Sequence, residues 1–322
     1  MSLLATLFHQ ILIALPLFVL IGLGWLLVRW RQWPESITSA INRLVFRVAL
    51  PVMLFRLMCN FSAGPPVDAR LLIAFFGGCL LVFAFGRLVA SRLFKLDGVS
   101  GSVFALGGIF SNNVLLGLPI ARVMLGDAAI PSVALVLVFN GLILWTLATV
   151  SVEWFRHGAL NLRGFGQTAI SVLKNPLIIG ILSGTLFSLT GLPLPEFIDQ
   201  PLSMLGQIAV PLALVALGMS LAGYRIKEGL AISYALSAIK LIVQPLVVWG
   251  LAWIIGLPPL ESKVVVLLAS MSVGVNVYLM SQQFNALTGP AATSMLLTTL
   301  FSAITTPVLM VTMDWEIGRA SC

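Results

Sequence analysis

The sequence predicts an all-α membrane protein of ten transmembrane helices, set out as two inverted five-helix repeats with crossed, broken helices in the fourth and ninth places. Three observations predict it. Of 322 residues, 59% are hydrophobic and only 9% charged, whereas a soluble domain carries roughly 25% charged residues. A chain so poor in charge cannot cover a water-facing surface of this size, so lipid must be the solvent for most of it. The apolar residues fall into ten runs near the roughly 20 residues that cross a bilayer, at 9–28, 38–60, 70–93, 101–123, 130–152, 168–190, 201–222, 230–255, 263–284 and 290–312. The halves also match: Arg47-Val-Ala-Leu-Pro-Val52 in the second run parallels Gln207-Ile-Ala-Val-Pro-Leu212 in the seventh, 160 residues on. About that offset also pairs runs three to five with eight to ten. Each half holds an odd number of spans, so the second must enter from the opposite face.

The first run is too long for a signal peptide's apolar region: Ile11 to Val28 has no basic stretch before it, while Arg29 and Arg31 follow. It reads as a retained helix. The net charge of +7 is scattered through short loops, which reports topology rather than nucleic-acid binding. The connections after runs one, three, five, seven and nine, with their flanks, hold Arg29, Arg31, Arg43, Arg47, Arg92, Lys95, Arg156, Arg163, Lys174, Arg225 and Lys227. The other side holds Arg56, Arg70, Arg122, Lys263 and Arg319. Eleven against five puts both termini outside the cytoplasm, in a multi-pass protein of the inner (plasma) membrane. The break around Arg156–Gln167 divides the chain into a first repeat at 1–155, a cytoplasmic linker at 156–167 and a second repeat at 168–322.

The fourth run reads Gly107-Gly-Ile-Phe-Ser-Asn-Asn-Val-Leu-Leu-Gly-Leu-Pro119. Pro119 lacks an amide hydrogen and clashes with the carbonyl of Leu115, and Gly117 eases unusual backbone angles, so a break is expected here. The groups such a break frees must be satisfied by protein, water or substrate, and Asn112 and Asn113 are suited to that work. The plainer alternative is a proline kink with two interhelical asparagine bonds. The ninth run, Ser270-Met-Ser-Val-Gly-Val-Asn276-Val-Tyr278, is interrupted by Gly274 and Asn276 without a proline. Interrupted segments in matching places of two halves are the best sequence pointer to a transport site, and crossing half-helices bring N-terminal partial positive charge to an anion.

The fifth run adds Asn140 and Trp145, five residues apart and so on different parts of a helix surface. Lys240 lies deep in the eighth run, followed by Gln244 and Pro245. An intramembrane lysine is a functional candidate, for a substrate carboxylate or for broken-helix carbonyls alike. Arg56 and Arg87 lie nearer span ends, within reach of the interface, and Arg122 follows the break at a cavity mouth. Glu153 and Asp127 sit at span ends, and no span carries a carboxylate at its centre. Amides, hydroxyls and one amine suit an anion better than a metal cation. The three cysteines, Cys59, Cys79 and Cys322, have no metal-ligand spacing, and His9 and His157 lie far apart. No metal site, cofactor or nucleophile constellation is expected, which argues against an enzyme.

These residues carry a resemblance to the auxin efflux carrier family, in the short bacterial form that includes malonate transporter-like proteins. It covers nearly the whole chain. It rests on Val48-Ala-Leu-Pro51, Asn112 with Gly117 and Pro119, Lys174-Asn-Pro176, Pro211-Leu-Ala-Leu-Val-Ala-Leu-Gly218-Met, and Lys240 before Pro245. The resemblance implies ten helices, a homodimer, and elevator-like motion of helices three to five and eight to ten against a scaffold of helices one, two, six and seven. It implies an organic anion as substrate, with Asn112 at its carboxylate. Asn140 and Trp145 stand where plant members carry a glutamine and a tyrosine. Leu54 stands where they carry a serine, and the loop after the fifth helix is short, so a small carboxylate such as malonate fits better than auxin. The substrate-binding set is Asn112, Asn113, Asn140, Trp145, Asn276, Tyr278 and Lys240, with Gly117, Pro119 and Gly274 at the crossover. Coupling is open between protons and the membrane potential. The rival readings are a cation/proton antiporter on the same plan, with Lys240 titrating, and a membrane receptor that binds without transport.

Overall fold

In the computed structural model the described residues are 3–59, 67–157, 173–223 and 229–320. They are helical almost throughout. We number the α-helices α1 (Leu3–Arg29), α2 (Glu35–Leu44), α3 (Leu50–Met58), α4 (Leu71–Arg92), α5 (Gly98–Gly107), α6 (Leu118–Leu125), α7 (Ile130–His157), α8 (Pro176–Ser188), α9 (Glu196–Ala222), α10 (Leu230–Ala238), α11 (Gln244–Ile255), α12 (Pro259–Ser270), α13 (Val275–Gln283) and α14 (Thr288–Ala320). Residues 158–167 of the expected linker, and Arg163, Arg225 and Lys227 among the topology-setting charges, lie outside the described residues.

Among the described residues six helices are long and apolar enough to cross a membrane: Glu35–Met58, Leu71–Arg92, Asp127–Val152, Glu196–Ala222, Leu230–Ile255 and Thr288–Trp315. Four shorter helices, Leu15–Arg29, Gly98–Gly107, Asn113–Leu125 and Pro176–Ser188, are also apolar. Three of the rods contain a π-turn, at Val45–Ala49 joining α2 to α3, at Asn113–Gly117 leading into α6, and at Ile239–Val243 joining α10 to α11. Each π-turn ends two residues before a proline: Pro51, Pro119 and Pro245. The reason is steric. Proline has no amide to give to the carbonyl four residues back and its ring presses on it. Widening the turn by one residue moves that carbonyl aside, and the rod continues with little kink.

Helices in lipid associate by close packing rather than by the hydrophobic effect, and small residues let backbones approach. On α8, a methyl group at Gly180 would stand 2.5 Å from the Pro51 carbonyl oxygen, and one at Gly184 would stand 2.4 Å from that of Phe55. This Gly-x-x-x-Gly face lies directly on α3. Helices α1 and α9 interlock in the same way, Gly24 against the Val215 carbonyl and Gly218 against that of Ile21. Leu44, Ile73, Leu186 and Phe197 are among the many large apolar side chains left exposed, as a lipid-facing surface requires.

Two rods are interrupted. The α5 rod stops at Gly107 and resumes at Asn113, and the α12 rod stops at Ser270 and resumes at Val275. The break in the fourth run therefore falls at Gly108–Asn112, ahead of Gly117 and Pro119. Proline is not its cause, because the Asn113–Gly117 π-turn already accommodates Pro119. The ninth run breaks without a proline: Met271 and Gly274 take extended angles, with φ −66°, ψ 158° and φ −72°, ψ 147°.

A candidate anion site where two interrupted helices meet

The two interruptions lie against each other. The Gly274 amide donates to the Phe110 carbonyl at 2.8 Å, and the Asn112 amide to the Ser272 carbonyl at 2.8 Å. Together they make one antiparallel rung between Ser111 and Val273. A Cβ at position 274 would stand 3.1 Å from the Ser111 carbonyl oxygen, so glycine keeps this approach open. Gly117, by contrast, gives room for packing: its missing methyl would meet Leu268 at 3.0 Å and Met271 at 3.3 Å.

Freed backbone groups in a buried interior must find partners, and most do. The Val273 amide donates to Thr298 Oγ1 of α14 at 2.9 Å. Ser270 and Thr306 of α14 share a hydroxyl contact of 3.1 Å. Lys240 Nζ donates to the Ala269 carbonyl at 2.5 Å, and Gln244 Nε2 donates to the Ile109 carbonyl at 2.8 Å. Both side chains are fully buried. One rod, α10–π–α11, thus caps the carbonyl ends of both interrupted helices. Helix C-termini carry partial negative charge, which a buried ammonium and an amide offset. The helix N-termini at Asn113 and Val275 are left to face a cleft.

That cleft, of about 380 Å³, is lined by Phe46, Phe110–Leu115, Asn140 and Gly274–Asn276. Its polar atoms are largely unspent. Ser111 Oγ, Asn112 Nδ2, both side-chain polar atoms of Asn113 and Asn140 Oδ1 are buried with no hydrogen-bond partner among the described residues; so is Ser272 Oγ at the rung, outside the cleft lining. Each such atom costs about 1–3 kcal/mol if nothing binds it, so the cleft holds unspent hydrogen-bonding capacity.

The structure brings together Asn112, Asn113, Asn140, Asn276 and Gly274 of the expected residues. It does not bring in the rest. Lys240 is turned to the Ala269 carbonyl. Tyr278 Oη accepts from Gln282 Nε2 at 2.9 Å, and Trp145 packs half-buried against the apolar core; neither lines the cleft. Ser111 and Phe46 are lining residues that sequence reasoning passed over. Gln244 is another omission; its place one turn beyond an intramembrane lysine was the available signal. Among the described residues no His/Cys/Asp/Glu cluster could hold a metal ion. Asp127, Asp199 and Glu261 sit in the first turns of their helices, and Asp314 lies one residue from the end of the apolar span Thr288–Trp315.

The membrane transport protein family matches residues 9–310. The chain belongs to that family, the auxin efflux carriers and their relatives. It is 26% identical over 303 residues to the "Putative malonate transporter" of Rhizobium meliloti, covering 92% of this chain and 94% of that one. It is also 26% identical to an uncharacterized transporter of Methanocaldococcus jannaschii, over 91% and 95% of the two chains. Against auxin efflux carrier component 8 of Arabidopsis thaliana it is 23% identical, over 86% and 90%. The protein is a multi-pass membrane transporter of the auxin efflux carrier family, not an enzyme.

Proposed function

We propose that this transporter carries small organic anions, malonate or a similar carboxylate, by alternating access. The observation that carries the reading is the set of unpartnered, buried amide and hydroxyl groups at the meeting of two interrupted helices, with two helix N-termini behind them. Amide N–H groups and helix N-termini favour a carboxylate, and the family relative named for malonate points the same way. On this reading Asn112 and Asn113 donate to one carboxylate group, while Asn140 and Asn276 orient the rest of the molecule. Lys240 then holds the geometry of the site rather than the substrate.

The wider architecture follows the same proposal. On this reading the ten spans, in two inverted halves, are α1, α2–α3, α4, α5–α6, α7, α8, α9, α10–α11, α12–α13 and α14. Helices α4–α7 and α10–α14 form a moving transport domain, α1–α3 and α8–α9 a scaffold, and two copies pair through the scaffold. The test is uptake of labelled malonate, succinate and indole acetate into proteoliposomes. Saturable uptake of at least one carboxylate is expected, and Asn112→Ala should cut it by a factor of about ten or more, the cost of one charge-assisted hydrogen bond lost from the site. Saturable binding of these anions with no flux in folded protein would favour a receptor.

A further inference from the structure

A second cleft, enclosing about 430 Å³, lies between α3, α6 and α9 and is lined by Met53, Arg56, Leu57, Arg122, Ser203, Gly206 and Gln207. It shares two walls with the asparagine cleft. Met53 follows Phe46 by seven residues on one rod, and Arg122 follows Leu115 by seven on another. At 1.5 Å per residue the two clefts are roughly 10 Å apart along both rods. Leu50, Leu116 and Leu118, all fully buried, occupy the intervening turns.

The lining holds two guanidinium groups and no carboxylate. Arg56 is held by Asp199 through Nε at 2.6 Å and Nη2 at 2.9 Å. Arg122 is held more loosely. Its Nε donates to Asp127 at 2.7 Å, and that carboxylate is 60% exposed. Its Nη1 points at the Met53 sulfur, 3.4 Å away, a weak acceptor for a charged donor. Ser203 and Gln207 add a hydroxyl and an amide. A guanidinium with Nε on an exposed carboxylate and Nη1 turned to a thioether, beside neutral donors and a second guanidinium, is a wall complementary to a carboxylate.

We propose that this cleft is a second anion station, in series with the asparagine cleft and beyond the apolar turns that part them. It takes the carboxylate of the substrate between Arg122, Ser203 and Gln207 on its way in or out. The station rests on the carrier reading given above, and its occupancy is measured separately from flux.

Ser203→Cys places a thiol in the lining. Its alkylation by a sulfonate-bearing and by a trimethylammonium-bearing thiol reagent is followed by peptide mass spectrometry, so that Cys59, Cys79 and Cys322 are counted apart. The anionic reagent should react faster, and malonate should slow it. Adding Arg122→Gln should raise the malonate concentration needed for protection roughly tenfold, while Arg122→Lys should keep the preference for the anionic reagent. Asn112→Ala should leave protection in place. Protection lost with Asn112→Ala, unchanged by Arg122→Gln, or absent in the Ser203→Cys protein would overturn the station. No preference for the anionic reagent would do the same. Protection without any proteoliposome uptake would keep the station and sink only the carrier reading.

Discussion

Lys240 donates to a carbonyl, that of Ala269, where the sequence leaves open a substrate carboxylate or broken-helix carbonyls. A fully buried ammonium costs too much to persist without partners, and its partner is a helix-end carbonyl. Lys240→Met should leave the Ala269 carbonyl unpaired and lower thermal stability in detergent, by about 1.5–3 kcal/mol for a charge-assisted bond. The malonate concentration at half-maximal uptake should stay unchanged, because the side chain does not line the cleft. An increase in that concentration with stability intact would put Lys240 on the substrate. Asp97 offers a second case, outside the spans. It caps α5, accepting from the Val99 and Ser100 amides at 2.9 and 3.0 Å and from the Ser100 hydroxyl at 2.6 Å. The Ser100 hydroxyl and amide, with the Val99 amide, hold its carboxyl below the usual carboxylate range. A depressed carboxyl stabilises the fold above its unfolded value, near 3.9, and that contribution fades as pH falls through the folded value. Asp97→Ala should therefore cost about 1 kcal/mol at neutral pH, and the melting curves of variant and parent should begin to approach each other below about pH 4 and meet only below the folded value of the carboxyl. The sequence made the asparagines legible because amides are rare in apolar runs. It did not say where Lys240, Trp145 or Tyr278 point, since that depends on rotation about the helix axis, and a π-turn resets the rotation of everything after it.

Helix breaks were legible as regions and not as positions. Pro119 drew the expected break toward itself, because proline in a helix normally forces one. A π-turn absorbed the clash, and the chain parted instead at Gly108–Asn112, where the backbone crosses Val273 and Gly274. The ninth run shows the converse, a break made by tertiary contact with no proline at all. Glycine spacing was a signal of another kind: Gly180 and Gly184 lie four apart on α8 and hold it against α3. Gly184→Leu would drive a side chain into the Phe55 carbonyl, since even a Cβ would come within 2.4 Å. Overpacking of this sort costs about 1–3 kcal/mol or more. A lower melting temperature in detergent is expected, whereas Ile179→Leu, on a lipid-exposed position of the same helix, should change nothing measurable.

At the scale of the molecule, composition alone fixed the solvent. With 9% charged residues lipid had to cover the chain, and the exposed apolar surface agrees. The proposed orientation rests on loop charge and is open to direct measurement. A C-terminal alkaline phosphatase fusion should be active and a C-terminal green fluorescent protein fusion dark; the reverse pattern would turn the orientation over. What the sequence could not deliver was how the interrupted helices are fastened. Beside the backbone rung and the hydroxyls of α14, one rod, α10 to α11, grips one cut end through Lys240 and the other through Gln244. That rod also shows the bilayer Ile242, Leu246, Trp253 and Ile254, all at least half exposed. Tilt is how such a rod answers a thinner or thicker hydrocarbon layer. A tilt would tug both cut ends at once, so the dimensions of the surrounding lipid become a dial on the shape of the cleft between them.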